Sequence, residues 1–88
     1  MISHVKGIIS EKTPPYIIID VNGIGYEVSV PMSTYFDLPE IGNQVTLTTH
    51  FIVREDSQQL YGFLTKIEKN IFQKIIKING IGPRLGLA

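Results

Sequence analysis

Apolar residues in this 88-residue chain change their spacing once, near residue 64. Before that point they form short runs or alternate with polar residues. After it they recur at three- and four-residue intervals. The runs "SHVKGIIS" and "YIIIDV" are rich in β-branched side chains, and "EKTPP" between them places two prolines where they interrupt a ladder. In "DVNGIGYEVSV", Asn22-Gly23 lies between two strand-like runs, which predicts a two-residue hairpin of type I′, the turn that needs positive φ at both central positions. Gly25 beside it is expected to mark a bulge or a bend of the sheet. Farther on, "QVTLTTHFIVR" puts Val45, Leu47, Phe51 and Val53 on one face and Thr46, Thr48 and His50 on the other. "EDS" then reverses the chain into "QQLYGFL".

That makes five strands in about 63 residues, with a long connection, "PMSTYFDLPEIGNQ", between the third and fourth. The connection has room for one helical turn at "MSTYF". Strands this short would leave costly open edges in a flat sheet, so closure into a small barrel is favoured. The pattern fits a mainly β domain over residues 1–64, a five-stranded Greek-key barrel of the OB-fold type. An SH3-like barrel is the alternative.

Residues 65–88 read as the beginning of a helical domain. Thr65 is followed three residues later by Glu68, the spacing of a capping box. Ile67, Ile71, Phe72, Ile75 and Ile76 then share one helical face, and Lys66, Lys69, Lys74 and Lys77 fall on the opposite side. By itself such a lysine face is most simply a solvated surface. The following "NGIGPRLGLA" alters that reading, because Gly80 suits the C′ position of the helix and Pro83 suits the start of another. Helix, Gly-Ile-Gly, helix is the pattern of a helix-hairpin-helix motif. Its two glycines bring backbone close to a phosphate, and the amides of the next helix donate to the phosphate oxygens. Gly80 and Gly82, with Arg84 able to add a charge-assisted contact, form a candidate phosphate cradle. A plain helix–helix corner is the competing reading. The glycine spacing matches neither G-x-G-x-x-G nor a P-loop, so no nucleotide cofactor is expected.

Formal net charge is zero, yet it is unevenly distributed. Residues 1–63 hold three cations against seven carboxylates, a net of −4, and residues 64–88 hold five cations against Glu68 alone, a net of +4. An acidic unit joined to a basic one points first to a two-part organisation of the chain. The chain has no cysteine, which removes disulfides and thiolate metal sites. Its first ten residues lack a signal-peptide core, and no apolar run has membrane-spanning length. A cytoplasmic location with no membrane partner is the expectation. His4 and His50 fall in different strands, and no nucleophile signature is present, so no catalytic residue and no metal site are expected.

The segments "KGIISEKTPPYIIIDVNGIGYEVSVPMSTYFDLP", "THFIVREDSQQLYGF" and "IIKINGIGPRLGLA" together resemble the RuvA family of Holliday-junction-binding proteins. The resemblance runs in order along essentially the whole chain. It implies a non-catalytic, structure-specific and sequence-independent DNA-binding subunit acting in recombination and repair. Such a subunit forms a homotetramer on a four-way junction and recruits the RuvB ATPase, through a C-terminal domain beyond this chain, to drive branch migration. It also implies that Glu55 and Asp56 are the acidic pin at the junction centre, and that Asn79, Gly80, Gly82 and Arg84 are the phosphate-binding part of the first hairpin. A single-stranded nucleic-acid-binding OB module is the alternative, although that use normally calls for exposed aromatics above a basic groove. A glycosylase or nuclease would need a catalytic residue in a later domain.

Overall fold

The computed structural model describes residues 1–78 of the chain. Five strands, β1 (His4–Thr13), β2 (Tyr16–Val21), β3 (Ile24–Ser29), β4 (Gln44–Val53) and β5 (Gln58–Phe63), close into a barrel in the order β1-β2-β3-β5-β4. A six-residue helix, α1 (Met32–Asp37), sits between β3 and β4, and α2 (Lys66–Ile75) follows β5. All neighbours are antiparallel except β3 and β5, which meet in parallel through the single pair Ser29↔Tyr61. This is the OB-fold arrangement, and the SH3-like alternative falls away with it.

The alternation of the strands builds the interior. Val5, Ile9, Ile17, Ile19, Val28, Val45, Leu47 and Leu60 point into the barrel and are almost fully buried. Leu38, at the end of α1, and the half-buried Tyr35 pack against the same cluster. At the other end Thr49 takes an interior position, and its hydroxyl donates to the Ile2 carbonyl at 2.8 Å. That bond meets the cost of burying a hydroxyl among apolar side chains.

Asn22 (φ 54°) and Gly23 (φ 92°) form the tight turn between β2 and β3 that their sequence predicts. Asp20 reinforces it by accepting from the Gly23 amide at 2.8 Å. Gly25, however, is not at a bulge, because the β2–β3 ladder runs without interruption through Asp20↔Gly25 and Val21↔Ile24. The irregularity falls instead between Ile9 and Glu11 of β1. β1 pairs with β4 up to Ile8 and with β2 from Ile8 onward, so this strand has to curl round to close the barrel. An extra residue bends a strand and raises its twist, which is what that handover requires. Pro14 and Pro15 interrupt the ladder as expected, but the break is narrower than "EKTPP", since Glu11, Lys12 and Thr13 belong to β1 and Thr13 pairs with Tyr16 directly.

Beyond the barrel, Tyr61 and Phe63 face outward from β5 and are as buried as the interior, at 5% and 2% exposure. The cause is α2, whose Phe72 places its ring 5.2 Å from that of Tyr61 and 5.1 Å from that of Phe63. With both faces covered, β5 approaches its neighbours closely. A Cβ at Gly62 would come within 2.6 Å of a Val28 methyl and 2.9 Å of a Leu47 methyl.

Candidate nucleic-acid interface

The β4–β5 hairpin carries the acidic pair. Its ladder ends at Val53↔Gln58, and the four residues 54–57 turn the chain, with the Arg54 amide donating to the Ser57 carbonyl at 2.8 Å. Adjacent residues inside a strand point to opposite faces. At this tip Glu55 and Asp56 are free of that constraint, and both are exposed. Val53 shares the interior register of Val45 and Leu47, yet it is 60% exposed, because the hairpin runs past the end of the barrel core. The tip is thus a projection of the barrel with two carboxylates at its end. Among the described residues, no group of three His, Asp or Glu side chains is placed to hold a metal ion.

The helix start lies at the opposite end of the same ladder. Thr65 is the N-cap of α2, and its hydroxyl accepts from the Glu68 amide at 3.2 Å. The Glu68 carboxylate accepts from the Thr65 hydroxyl at 2.9 Å through one oxygen and from the Thr34 hydroxyl at 3.2 Å through the other. One side chain therefore caps α2 and ties it to α1. Thr48 on β4 donates to both the Phe63 and Thr65 carbonyls at 3.2 Å, which fixes the link between barrel and helix.

The face by which α2 docks differs from the one the isoleucines suggest. Phe72 is buried and Ile76 is half-buried against the barrel, whereas Ile67 and Ile71 are 72% and 52% exposed. Phe72 takes the contact by packing its ring against those of Tyr61 and Phe63. Centring the contact on Phe72 rotates Ile67 and Ile71 outward and brings Lys69 and Gln73 toward β4. Lys66, Lys74 and Lys77 are exposed, and Lys69 is half-buried. The helix also stops at Ile75 with Ile76 as its C-cap, short of the position that would set Gly80 at C′. The Lys77 and Ile78 amides return to the carbonyls three residues back, at 3.3 and 3.1 Å, so the last turn tightens. Asn79, Gly80, Gly82 and Arg84 lie outside the described residues.

The alternation of β4 sets His50 on its polar face, and in the fold His50 lies under α2. Its ring meets Phe72 edge-on at 5.8 Å, and its Nδ1 lies 3.0 Å from the Gln73 amide nitrogen. Burial pushes the imidazole below its ordinary value near 6.5, and Lys69 and Lys77 act in the same direction. His50 is a fastening point for the helix. A period-2 pattern identifies the outward face of a strand but carries no record of what later covers it.

The RuvA N-terminal domain family matches residues 1–62 of the chain. Curated relatives bear out the likeness over all 88 residues. They include the Holliday junction branch migration complex subunit RuvA of Francisella tularensis subsp. tularensis, 60% identical. The proteins of the same name from Marinomonas sp. and Methylibium petroleiphilum are 58% and 56% identical. The whole chain aligns in each case, and it spans 41%, 44% and 46% of those relatives, respectively. A closed OB barrel with a two-carboxylate hairpin tip, matched over residues 1–62 by the family and over the full chain by these relatives, places the protein in the RuvA N-terminal domain family.

Proposed function

We propose that this chain is the junction-facing part of a four-way-junction DNA-binding subunit in a RuvAB-type branch-migration complex. The observation that carries the reading is the β4–β5 hairpin, with Glu55 and Asp56 exposed at its tip and the lysine-bearing α2 at its base. Carboxylates directed at DNA phosphates repel them, and at the centre of a fourfold assembly eight such groups would hold the crossing strands apart. Lysines near the helix supply affinity without reading bases, so recognition concerns the form of the DNA and not its sequence.

In this reading residues 1–64 are the barrel domain, and residues 65–88 begin a helix-hairpin-helix domain in which Asn79, Gly80, Gly82 and Arg84 bind backbone phosphate. The complete subunit forms a homotetramer, works on DNA in the cytoplasm and recruits RuvB, whose ATPase supplies the energy. The subunit itself needs no cofactor and performs no covalent chemistry. A gel-shift titration at low and moderate salt tests this, comparing an immobile four-way junction with linear duplex and single strand of equal length. Preference for the junction is expected. Preference for single strand would favour the single-stranded-binding alternative and overturn the proposal.

A further inference from the structure

The lysines of α2 are not spread evenly over the helix, because Lys66 and Lys69 belong to a defined cleft. Between α2 and the outer faces of β1 and β4 runs a cleft of about 500 Å³. Its floor is Thr46 and Thr48 on β4. One wall is His4, which pairs directly with Thr48, together with Ser3 just before it. The other wall is Lys66, Lys69 and Asn70, which the i, i+3, i+4 spacing of a helix sets on a single face.

The composition of this cleft is one-sided. It contains two ammonium groups, an imidazole, hydroxyls and an amide, and no carboxylate lines it. Lys6, exposed and opposite Thr46 two rungs along the ladder from His4↔Thr48, extends the basic character along β1. The acidic residue closest in sequence, Glu68, has both carboxylate oxygens engaged by Thr34 and Thr65. The Phe72 contact creates the arrangement. With the helix centred on that ring, Lys66, Lys69 and Asn70 line the same cleft as His4, Thr46 and Thr48.

Lysines converging with hydroxyl and amide donors, in an open and carboxylate-free groove, suit a phosphate ester that is held by charge and hydrogen bonds together. A basic cleft that opens to solvent accommodates a continuing polyanion more readily than a fully enclosed cavity would. We propose that this cleft is a second phosphodiester-binding site, distinct from the glycine hairpin, which grips the backbone of a DNA duplex arm. The assignment rests on the reading of the chain as a DNA-binding protein, but not on its preference for junctions.

The 88-residue chain is tested by anisotropy titration of a labelled linear duplex across a series of salt concentrations. Wild type is compared with K66Q/K69Q and with K74Q/K77Q, which removes the same charge from the helix away from the cleft. Each phosphate contact contributes about 0.9 to the slope of log affinity against log salt. K66Q/K69Q is expected to lower that slope by about 2 and to weaken binding roughly tenfold at moderate salt, with little change for K74Q/K77Q. Equal losses in both variants would reduce the effect to general charge and overturn the site.

A ¹⁵N NMR titration of wild type supplies an independent readout. Duplex should move the amide signals of Ser3, Thr46, Thr48 and Asn70. If inorganic phosphate at matched concentration moves them equally, the cleft takes free anions and the DNA assignment fails. Equal affinity for junction and duplex with these signals shifted would refute junction preference while leaving the cleft standing. Junction preference with the signals unmoved would do the reverse.

Discussion

Replacing Phe72 by Ala is the sharpest test of how α2 is held. The side chain is 2% exposed and is the main apolar contact of the helix with the barrel, against Tyr61, Phe63 and the edge of His50. An aromatic side chain removes about 150–250 Å² from water, worth about 4–6 kcal/mol at ~25 cal/mol per Å². A compact unfolded chain already hides part of that surface, which brings the figure to about 3–4 kcal/mol, in line with measured Phe-to-Ala costs of 3–5 kcal/mol. Total stability for 88 residues is about 4–13 kcal/mol, so the substitution removes a large share.

The loss should also be local. A ten-residue helix is marginal in water by itself, so α2 without its ring should unwind while the barrel, whose interior Phe72 does not enter, keeps its strands. Far-UV circular dichroism should lose helical signal. Tyrosine emission, available because the chain has four tyrosines and no tryptophan, should report exposure of Tyr61. The control is I71A, at a position that is 52% exposed, which should cost less than about 1 kcal/mol. Equal costs for the two variants in urea titrations would show that the helix docks through its isoleucines, and the argument from Phe72 would fail.

Three further outcomes are expected. G62A pushes a methyl group toward Val28 and Leu47 on the inner face of β5 and should destabilise by about 1–3 kcal/mol; an unchanged melting temperature would count against so close an approach. His50 has its pKa depressed by burial, so the folded state favours the neutral ring. Its contribution is complete above pH 6.5 and is lost as the pH falls through the lower folded-state value. Wild type should therefore lose more of its urea midpoint than H50Q between pH 7.5 and 5, and parallel curves would refute the assignment. E55Q/D56N should leave junction affinity unchanged, or raise it by up to about threefold at low salt, because a repulsive term is removed; a clear loss of binding would remove the pin from its proposed role.

The barrel was legible because its information is local. The alternation in "QVTLTTHFIVR", the Asn22-Gly23 turn and the breaks between runs each act within a few residues, and closure follows from the cost of free edges. Of the two readings of Gly25, the bulge failed because glycine permits a bulge without requiring one. The need for one arose at Ser10, where β1 exchanges partners, and that is a property of the closed barrel that no window around Gly25 contains. The docking face of α2 was likewise hidden. Five apolar residues share the helical stripe, and only the shape of the barrel surface above Tyr61 and Phe63 selects Phe72 and Ile76 from among them. The exposed tip could be placed because "EDS" between two strands can only turn. The cleft could not, since His4, Thr46 and Lys69 are brought together by ladder and helix packing and share no sequence pattern.

The same β4–β5 ladder also decides how its two charged ends can act. Thr48↔Phe63 lies at the base, beside the cleft and the start of α2, and Val53↔Gln58 lies under the carboxylates. Five residues at ~3.4 Å each separate these rungs by about 17 Å. The Debye length at physiological salt is about 8 Å, so the lysines at one end and the carboxylates at the other are some two screening lengths apart. Neither end neutralises the other, although the chain as a whole carries no net charge. On the proposed reading, a duplex backbone would be attracted at the base of the hairpin and turned away at its tip, with the β4–β5 ladder setting the distance between the two effects. The independence is measurable as additivity. The change in duplex affinity for K66Q/K69Q should be the same with and without E55Q/D56N to within about 0.5 kcal/mol. A larger coupling would mean that the two ends sense each other through the DNA or through a second copy of the chain, and the picture of two separate electrostatic contacts would have to be abandoned.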